Sequence, residues 1–447
     1  MFSSLHLSRK QREAISLLQI GTFLEYFDLM LYAHMSRVLN ELFFPKTDPY
    51  TAELLVAFGF CATFVLKPFG ALFFGYLGDR MGRKSSVIIT TALMAVTCII
   101  MASLPTYDKI GNAAVWGITL CRMLQGVSSI GESVGSEIYL LETTKPPASY
   151  PVVGMIGVAG VFGSMMALLF ASLVLALGIE WRVAFWIGAS IAIIGAAART
   201  RLVETPEFLD AGRRLKQRAS ESVQQDEQLV RDESSEDVLL SNGGRAYLTT
   251  SLAFFVTFCG WPVCFYVSYF YCASLLKSQF GYSSQDVVYH NFALSVINFI
   301  GLLFFVIWTY KVHPLRILKW KLYIYVPFII FTPTLLYLAN SPLAILFIQA
   351  IGVVFGLSTI PAKAVLIGHF PVLRRFTYAG FLTALSHAVV YAITSFGLVY
   401  VTRYYSHYGL WFATIPTALG FIWGVQYFSK LEKGKSEMRR KEYNFLL

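Results

Sequence analysis

Charge is scarce in this chain. Of its 447 residues only 14% are Asp, Glu, Lys or Arg, whereas 56% are hydrophobic and 16% aromatic. A water-soluble domain carries charge on about a quarter of its residues, so a soluble globule of this length is excluded. Cysteine is scarce too. Cys61, Cys98, Cys121, Cys259, Cys264 and Cys272 form no C-x-x-C pair, all fall in apolar runs, and read as small packing residues. The sequence has no P-loop, no H-E-x-x-H and no G-x-S-x-G. A nucleotide-driven pump, a zinc hydrolase and a serine hydrolase therefore lack their signatures, and neither an enzyme nor a cofactor is expected.

What is present is a succession of apolar runs of the length that crosses a bilayer as a helix. They do not alternate polar and apolar residues as membrane barrel strands would. Twelve spans are predicted, near 14–39, 52–77, 85–105, 112–140, 151–178, 182–202, 246–275, 286–311, 322–340, 342–367, 376–402 and 408–429. The expected fold class is an all-α polytopic membrane protein of twelve transmembrane helices in two six-helix bundles, residues 1–202 and 246–447. Residues 203–245 form a polar linker containing RRLKQR and QQDEQLVRDESSED.

The net charge of +10 is unevenly placed. Lys46, Lys109, Arg182, Lys277 and Arg403 fall on one set of loops, and Arg37, Lys67, Arg122 and Lys363 lie inside spans. All other basic residues fall on the side of the N-terminus. The positive-inside rule puts both termini in the cytoplasm. The basic residues then meet lipid headgroups, with no need for nucleic acid. Arg9, Lys10 and Arg12 precede the first apolar run without a cleavage site, so a retained helix is expected and not a signal peptide.

Ionisable groups at bilayer depth are costly and point to function. Glu25 and Asp28 are three residues apart and share a helix face, where either could carry a proton. Arg122, Gln125 and Ser129 form a stripe in the fourth span, followed by Glu132 between Gly131 and Gly135. Arg122 can pair with a first-span carboxylate or hold an anion. Lys67, before Pro68, needs a partner: Glu25, Asp28 or a substrate anion. In the seventh span Trp261-Pro262 implies a kink, and Tyr266, Tyr269 and Tyr271 bring hydroxyls. His387 is a lone intramembrane histidine. Lys363 is expected to snorkel to the interface. Gly154, Gly157, Gly160 and Gly163 argue for tight helix packing. Structural ion pairs and hydrogen-bonded packing are the alternative roles for all these polar groups.

Between the second and third spans the chain reads GYLGDRMGRK. Its glycines permit a tight turn and its charges can latch two bundles. This stretch resembles the signature loop of the major facilitator superfamily, with Gly75, Leu77, Asp79, Arg80, Gly82, Arg83 and Lys84 matching position by position. GTFLEYFDLMLY, FVLKPFGALFFGYLGDRMGRK, CRMLQGVSSIGESVGSEIYLLE, WRVAFWIGA…RTRLVETPEF and HFPVLRRFTYAG are similar to segments of its metabolite:proton symporters. These carry osmolytes, dicarboxylates, citrate or aromatic acids. Three departures are visible. Lys67 replaces a usual Arg, the eighth span is followed by TYKVHPLRILKW without a second GDRxGR copy, and Gly368 stands near a usual acid.

The resemblance implies a monomeric carrier in a bacterial inner (plasma) membrane, importing a small anionic or zwitterionic metabolite with protons by alternating access. Glu25, Asp28, Arg122 and Glu132 are the expected proton-coupling residues. Lys67, Gln125, Trp261, Tyr266, Tyr269 and His387 are expected near substrate. Gly75, Asp79, Arg80, Gly82, Arg83 and Lys84 are expected to form the conformational latch. Export of amphipathic compounds on the same fold, or a receptor that has lost transport, are the competing readings.

Overall fold

The computed structural model describes residues 8–45, 49–177, 180–225 and 236–445. A helix lies over each predicted span. The first six are α1 (Arg9–Phe43), α2 (Pro49–Arg80), α3 (Arg83–Ser103), α4 (Asn112–Thr143), α5 (Ser149–Leu177) and α6 (Arg182–Arg199). A linker helix follows at Pro206–Gln225, within the predicted polar segment; residues 226–235, most of the acidic tract, lie outside the described residues. Several helices overrun their apolar spans. The backbone ladder continues into water wherever no Pro or Gly stops it.

The second six are less regular. α7 runs Glu236–Phe258, breaks at Cys259, resumes at Gly260–Phe265, widens into a π turn at Tyr266–Tyr271 and ends as Cys272–Phe280. The break follows from Pro262, which has no N–H to offer the carbonyl of Phe258 and whose ring crowds it. α8 (Ser284–Trp308) opens on a capping box between Ser283 and Asp286. α9 is Pro314–Leu338. α10 stops at Val354 after starting at Pro342, and the chain re-enters helix through a 3₁₀ turn, Ile360–Ala362, into a short piece, Lys363–Ile367. α11 is Arg375–Ala392, a π turn Ile393–Leu398 and Val399–Tyr405; α12 is Trp411–Phe445.

Among the described residues, seven helices are long and apolar enough to cross a membrane by length and composition alone. Two further apolar helices, Arg182–Ala197 and Pro342–Val354, are shorter. α4 carries Arg122, Glu132 and Glu137, all buried. Large apolar side chains on the outer surface, Trp116, Leu248 and Tyr323 among them, are exposed as a lipid-facing belt requires.

Small residues set the helix contacts. The α5 glycines serve two neighbours and not one. A Cβ on Gly163 would strike the backbone of Phe23 in α1, whereas Gly154 and Gly157 face Val306 of α8 and Ile360 beside α10. One face of α5 thus packs within its own bundle and the other packs across to the second. Likewise α2 meets α4 at Gly70 and α11 at Gly75 and Gly78. The helix pairs α2–α11 and α5–α8 carry the main seam between the bundles.

Because the obstacle at Gly163 is backbone and cannot turn aside, Gly163→Ala should destabilise the fold by about 1–3 kcal/mol. Gly212 in the linker helix faces open space, so Gly212→Ala should stabilise by about 0.5–1 kcal/mol. Thermal unfolding in detergent should separate the two in opposite directions.

Candidate functional site

A cavity of about 280 Å³ lies between the bundles. Its wall includes Tyr26, Lys67, Trp261, Tyr269, Asn298 and His387, and its floor holds Glu137 and Lys363. Four of the expected substrate residues, Lys67, Trp261, Tyr269 and His387, therefore meet there. Two do not. Gln125 sits in a separate small pocket beside Arg122. Tyr266 stacks on Phe270 at 5.7 Å and packs toward Cys259 and Val390. In an α-helix Tyr266 and Tyr269 would share a face, but the π turn takes more residues per revolution and rotates them apart.

α8 contributes residues that the sequence reading did not single out. Asn291, Ser295 and Asn298 follow a helical stripe into the cavity, and Ser295 is 3.2 Å from the Tyr269 hydroxyl. The signal was there as a polar stripe at i, i+4 and i+7 in an otherwise apolar helix.

Beside the cavity is the pocket of buried charge. Arg122 Nη1 is 3.3 Å from Asp28 Oδ2 and donates to Gln125 Oε1 at 2.8 Å. Its guanidinium lies over Tyr32, 4.0 Å from the ring centre. Lys67 Nζ is 3.9 Å from Glu25 Oε1 and faces the Phe64 ring. All four charged side chains are nearly inaccessible. Asp28 is bound further by the Cys98 thiol at 3.5 Å. Among the described residues neither carboxylate oxygen of Glu25 has a hydrogen-bond partner, which leaves the Lys67 ammonium as its facing charge. Lys67 lines both this pocket and the large cavity.

Glu132 is held elsewhere. Arg199, at the end of α6, pairs with it at 2.6 Å, and the Thr91 hydroxyl donates to Glu132 Oε2 at 2.6 Å. The same guanidinium reaches the Thr91 hydroxyl and the carbonyls of Leu17 and Leu18. This geometry binds α1, α3, α4 and α6 to one another and matches a structural pair. Lys363 does not snorkel outward: it donates to Glu137 Oε1 at 2.5 Å.

The GDRMGRK turn builds the contact between bundles at one end of the molecule. Gly82 has φ +99°, a conformation that glycine adopts freely, and it starts α3 without a cap of its own. Glu204 supplies that cap, accepting from the amides of Arg83 and Lys84 at 3.0 and 3.2 Å. Asp79 crosses the seam and accepts from the amides of Phe376 and Thr377 at 3.2 and 2.9 Å, and from the Thr377 hydroxyl at 2.7 Å. Arg83 is wholly buried. It donates to Gly78 O, Asp79, both oxygens of Glu142, and Val372 O. Glu142 and Glu207 also receive Arg375 at 3.1 and 3.0 Å.

Two of the expected latch residues stand apart from it. Arg80 is exposed and rests over Tyr76, 4.7 Å from the ring centre, and Lys84 takes part through its backbone. Glu142, Glu204, Glu207 and Arg375 were missed as latch residues, although all lie in segments already noted as similar to the symporters.

The family description "Sugar (and other) transporter" matches residues 15–433. The proline/betaine transporter of Escherichia coli K12 is 33% identical over 223 residues, 48% of this chain and 44% of that protein. The glycine betaine/proline/ectoine/pipecolic acid transporter OusA of Dickeya dadantii is 32% identical over 216 residues, 46% and 42% respectively. The chain thus spans less than half the length of these curated relatives. Among solved structures, the proton:xylose symporter XylE superposes with a TM-score of 0.73 over 94% of this chain and 95% of that one, at 17% identity. The human organic anion transporter MFSD10 gives 0.64 over 94% and 100%, at 16% identity. At these identities the two structures bear on the fold.

The Asp79 contacts give a direct test of the seam. Asp79→Asn keeps one acceptor but loses the charge facing Arg83. It should raise the labelling of a cysteine placed at Ala71, which packs on Gly380 of α11, by about 3- to 10-fold, as loss of about 1 kcal/mol of helix capping implies. A membrane-impermeant thiol reagent applied from the latch side makes the measurement.

Proposed function

The chain belongs to the sugar (and other) transporter family within the major facilitator superfamily, and on that premise we propose that it carries a small carboxylate-bearing metabolite, zwitterionic or anionic, into the cell with protons. It is a membrane transporter and not an enzyme. The observation that carries the finer reading is Lys67, which lies on the boundary between the charged pocket and the cavity. Its ammonium faces Glu25 on one side and a solute's carboxylate on the other. A proton on Glu25 frees Lys67 for the solute, and loss of that proton draws the ammonium back, so the two ligands are bound together.

Asp28 and Arg122 form the closer of the two pairs and cancel one another, so a proton on Glu25 leaves Lys67 as the net positive charge of the pocket. Trp261 and Tyr269 offer aromatic faces, which suit a quaternary or secondary ammonium, and Tyr269, Asn298 and Ser295 offer hydrogen bonds. Proline, betaines and ectoine, named for the relatives, are the first solutes to try. The proposed setting is a bacterial inner membrane with both termini cytoplasmic, which places the GDRMGRK seam on the cytoplasmic side and the cavity floor just above it. The carrier works as a monomer among lipids, driven by the proton gradient without a cofactor. Residues 1–202 and 246–447 rock as two units joined by residues 203–245.

Uptake into proteoliposomes tests this. An inward gradient of one pH unit is worth about 1.4 kcal/mol per proton, so one coupled proton should concentrate the solute about tenfold. A protonophore should abolish that accumulation. Glu25→Gln should abolish it as well while still allowing solute to equilibrate. Accumulation by Glu25→Gln equal to that of the unaltered protein would remove Glu25 from the coupling role.

A further inference from the structure

Two lysines reach the central cavity, and each is held by a carboxylate, but the two pairs differ in what they join. Lys67 and Glu25 belong to α2 and α1, both in the first bundle, and stand 3.9 Å apart. Glu137 and Lys363 belong to α4 and to the last piece of α10, on opposite sides of the seam, and touch at 2.5 Å. Breaking the first pair leaves the bundles as they were. Breaking the second removes a bond between them.

The second pair is also lopsided. The Lys363 side chain is 13% exposed, against 2% for Glu137. Both side chains line the cavity, and an anion arriving there is offered more of Lys363 than of Glu137. The seam below is closed to it: Arg83 and Glu142 have no exposed side-chain surface. Lys363 moreover starts a separate short helix, after a 3₁₀ turn whose Ile360 packs on Gly157 of the first bundle. The ammonium is thus carried on a five-residue helical piece set off from the main run of α10.

We propose that Glu137–Lys363 is a solute-released tie: the carboxylate of the transported solute takes Lys363 from Glu137, and only then do the bundles part at the GDRMGRK end. This rests on the reading of the cavity as a carboxylate site and adds the step by which occupancy is sensed. Freed of its partner, Glu137 is a buried uncompensated charge, which favours the arrangement in which water reaches it. With no solute the tie holds, so a protonated empty carrier stays shut and protons do not cross unaccompanied. Selection follows as well. A solute lacking a carboxylate can enter the cavity but cannot displace Glu137.

The test needs no known substrate in its first arm. The cysteine at Ala71 reports parting of α2 from α11, and a trapped pH dye reports proton entry into proteoliposomes. Without solute, Glu137→Gln should raise labelling about tenfold, within the usual range of coupling free energies, and should leak protons. The exchange of both charges, Glu137→Lys with Lys363→Glu, should restore closure and remain deaf to solute. In the second arm, millimolar proline and betaine should speed labelling of the otherwise unaltered protein, whereas prolinamide and choline should not. Unchanged labelling in folded Glu137→Gln would overturn the tie, even with transport of the panel intact. Equal acceleration by acids and their carboxylate-free analogues would overturn release by a carboxylate. An open Glu137→Gln with no response to any acid would overturn the carboxylate trigger, and the substrate class proposed above with it.

Discussion

The arrangement of this protein depends on one guanidinium with no exposed atom. Arg83 has five N–H donors, and all five are used: by Gly78, Asp79, Glu142 twice and Val372. The Phe208 ring of the linker helix covers its face at 4.8 Å. A buried cation left short of partners would cost several kcal/mol, so each of these segments must arrive in place together. α2, α3, α4, the start of the linker and the turn before α11 converge on this point. The sharp turn at Gly82 exists to present it. The conformation with this end closed is the one in which every donor finds its acceptor.

The buried charges fall into four groups, of which Glu137 with Lys363 crosses the seam at the cavity. Arg199 and Glu132 tie α6 to α1, α3 and α4 and make the first bundle a unit. Arg83, Asp79, Glu142 and Arg375 join that unit to the second bundle. Glu25, Lys67, Asp28 and Arg122 lie within the first bundle beside the cavity.

Much of this was legible in the sequence. Hydropathy located all twelve helices, because a backbone in hydrocarbon has little choice but to be helical. Glu25 with Asp28, and Arg122 with Gln125, were visible because both spacings are local to one helix. Partners brought together by the fold were not. Nothing near Glu132 announces Arg199, 67 residues on, and nothing near Lys363 announces Glu137, 226 residues away. Tyr266 and Tyr269 were expected near substrate for their hydroxyls, but the π turn, which no residue type marks, leaves only Tyr269 at the cavity. The linker was read as polar spacer, yet Glu204, Thr205 and Glu207 at its start are built into the seam.

The first turn of α11 has a borrowed ending. Its own N-cap residue, Arg374, makes no side-chain cap. The amides of Phe376 and Thr377 are satisfied instead by Asp79, which belongs to the other bundle. When the bundles part, that helix keeps its sequence but loses its terminator. Two amides must then turn to water, or the turn must unwind until they find another acceptor. Any parting of the bundles at this end is therefore coupled to the hydrogen bonding of one helix terminus: the two amides that Asp79 now satisfies must be satisfied again elsewhere.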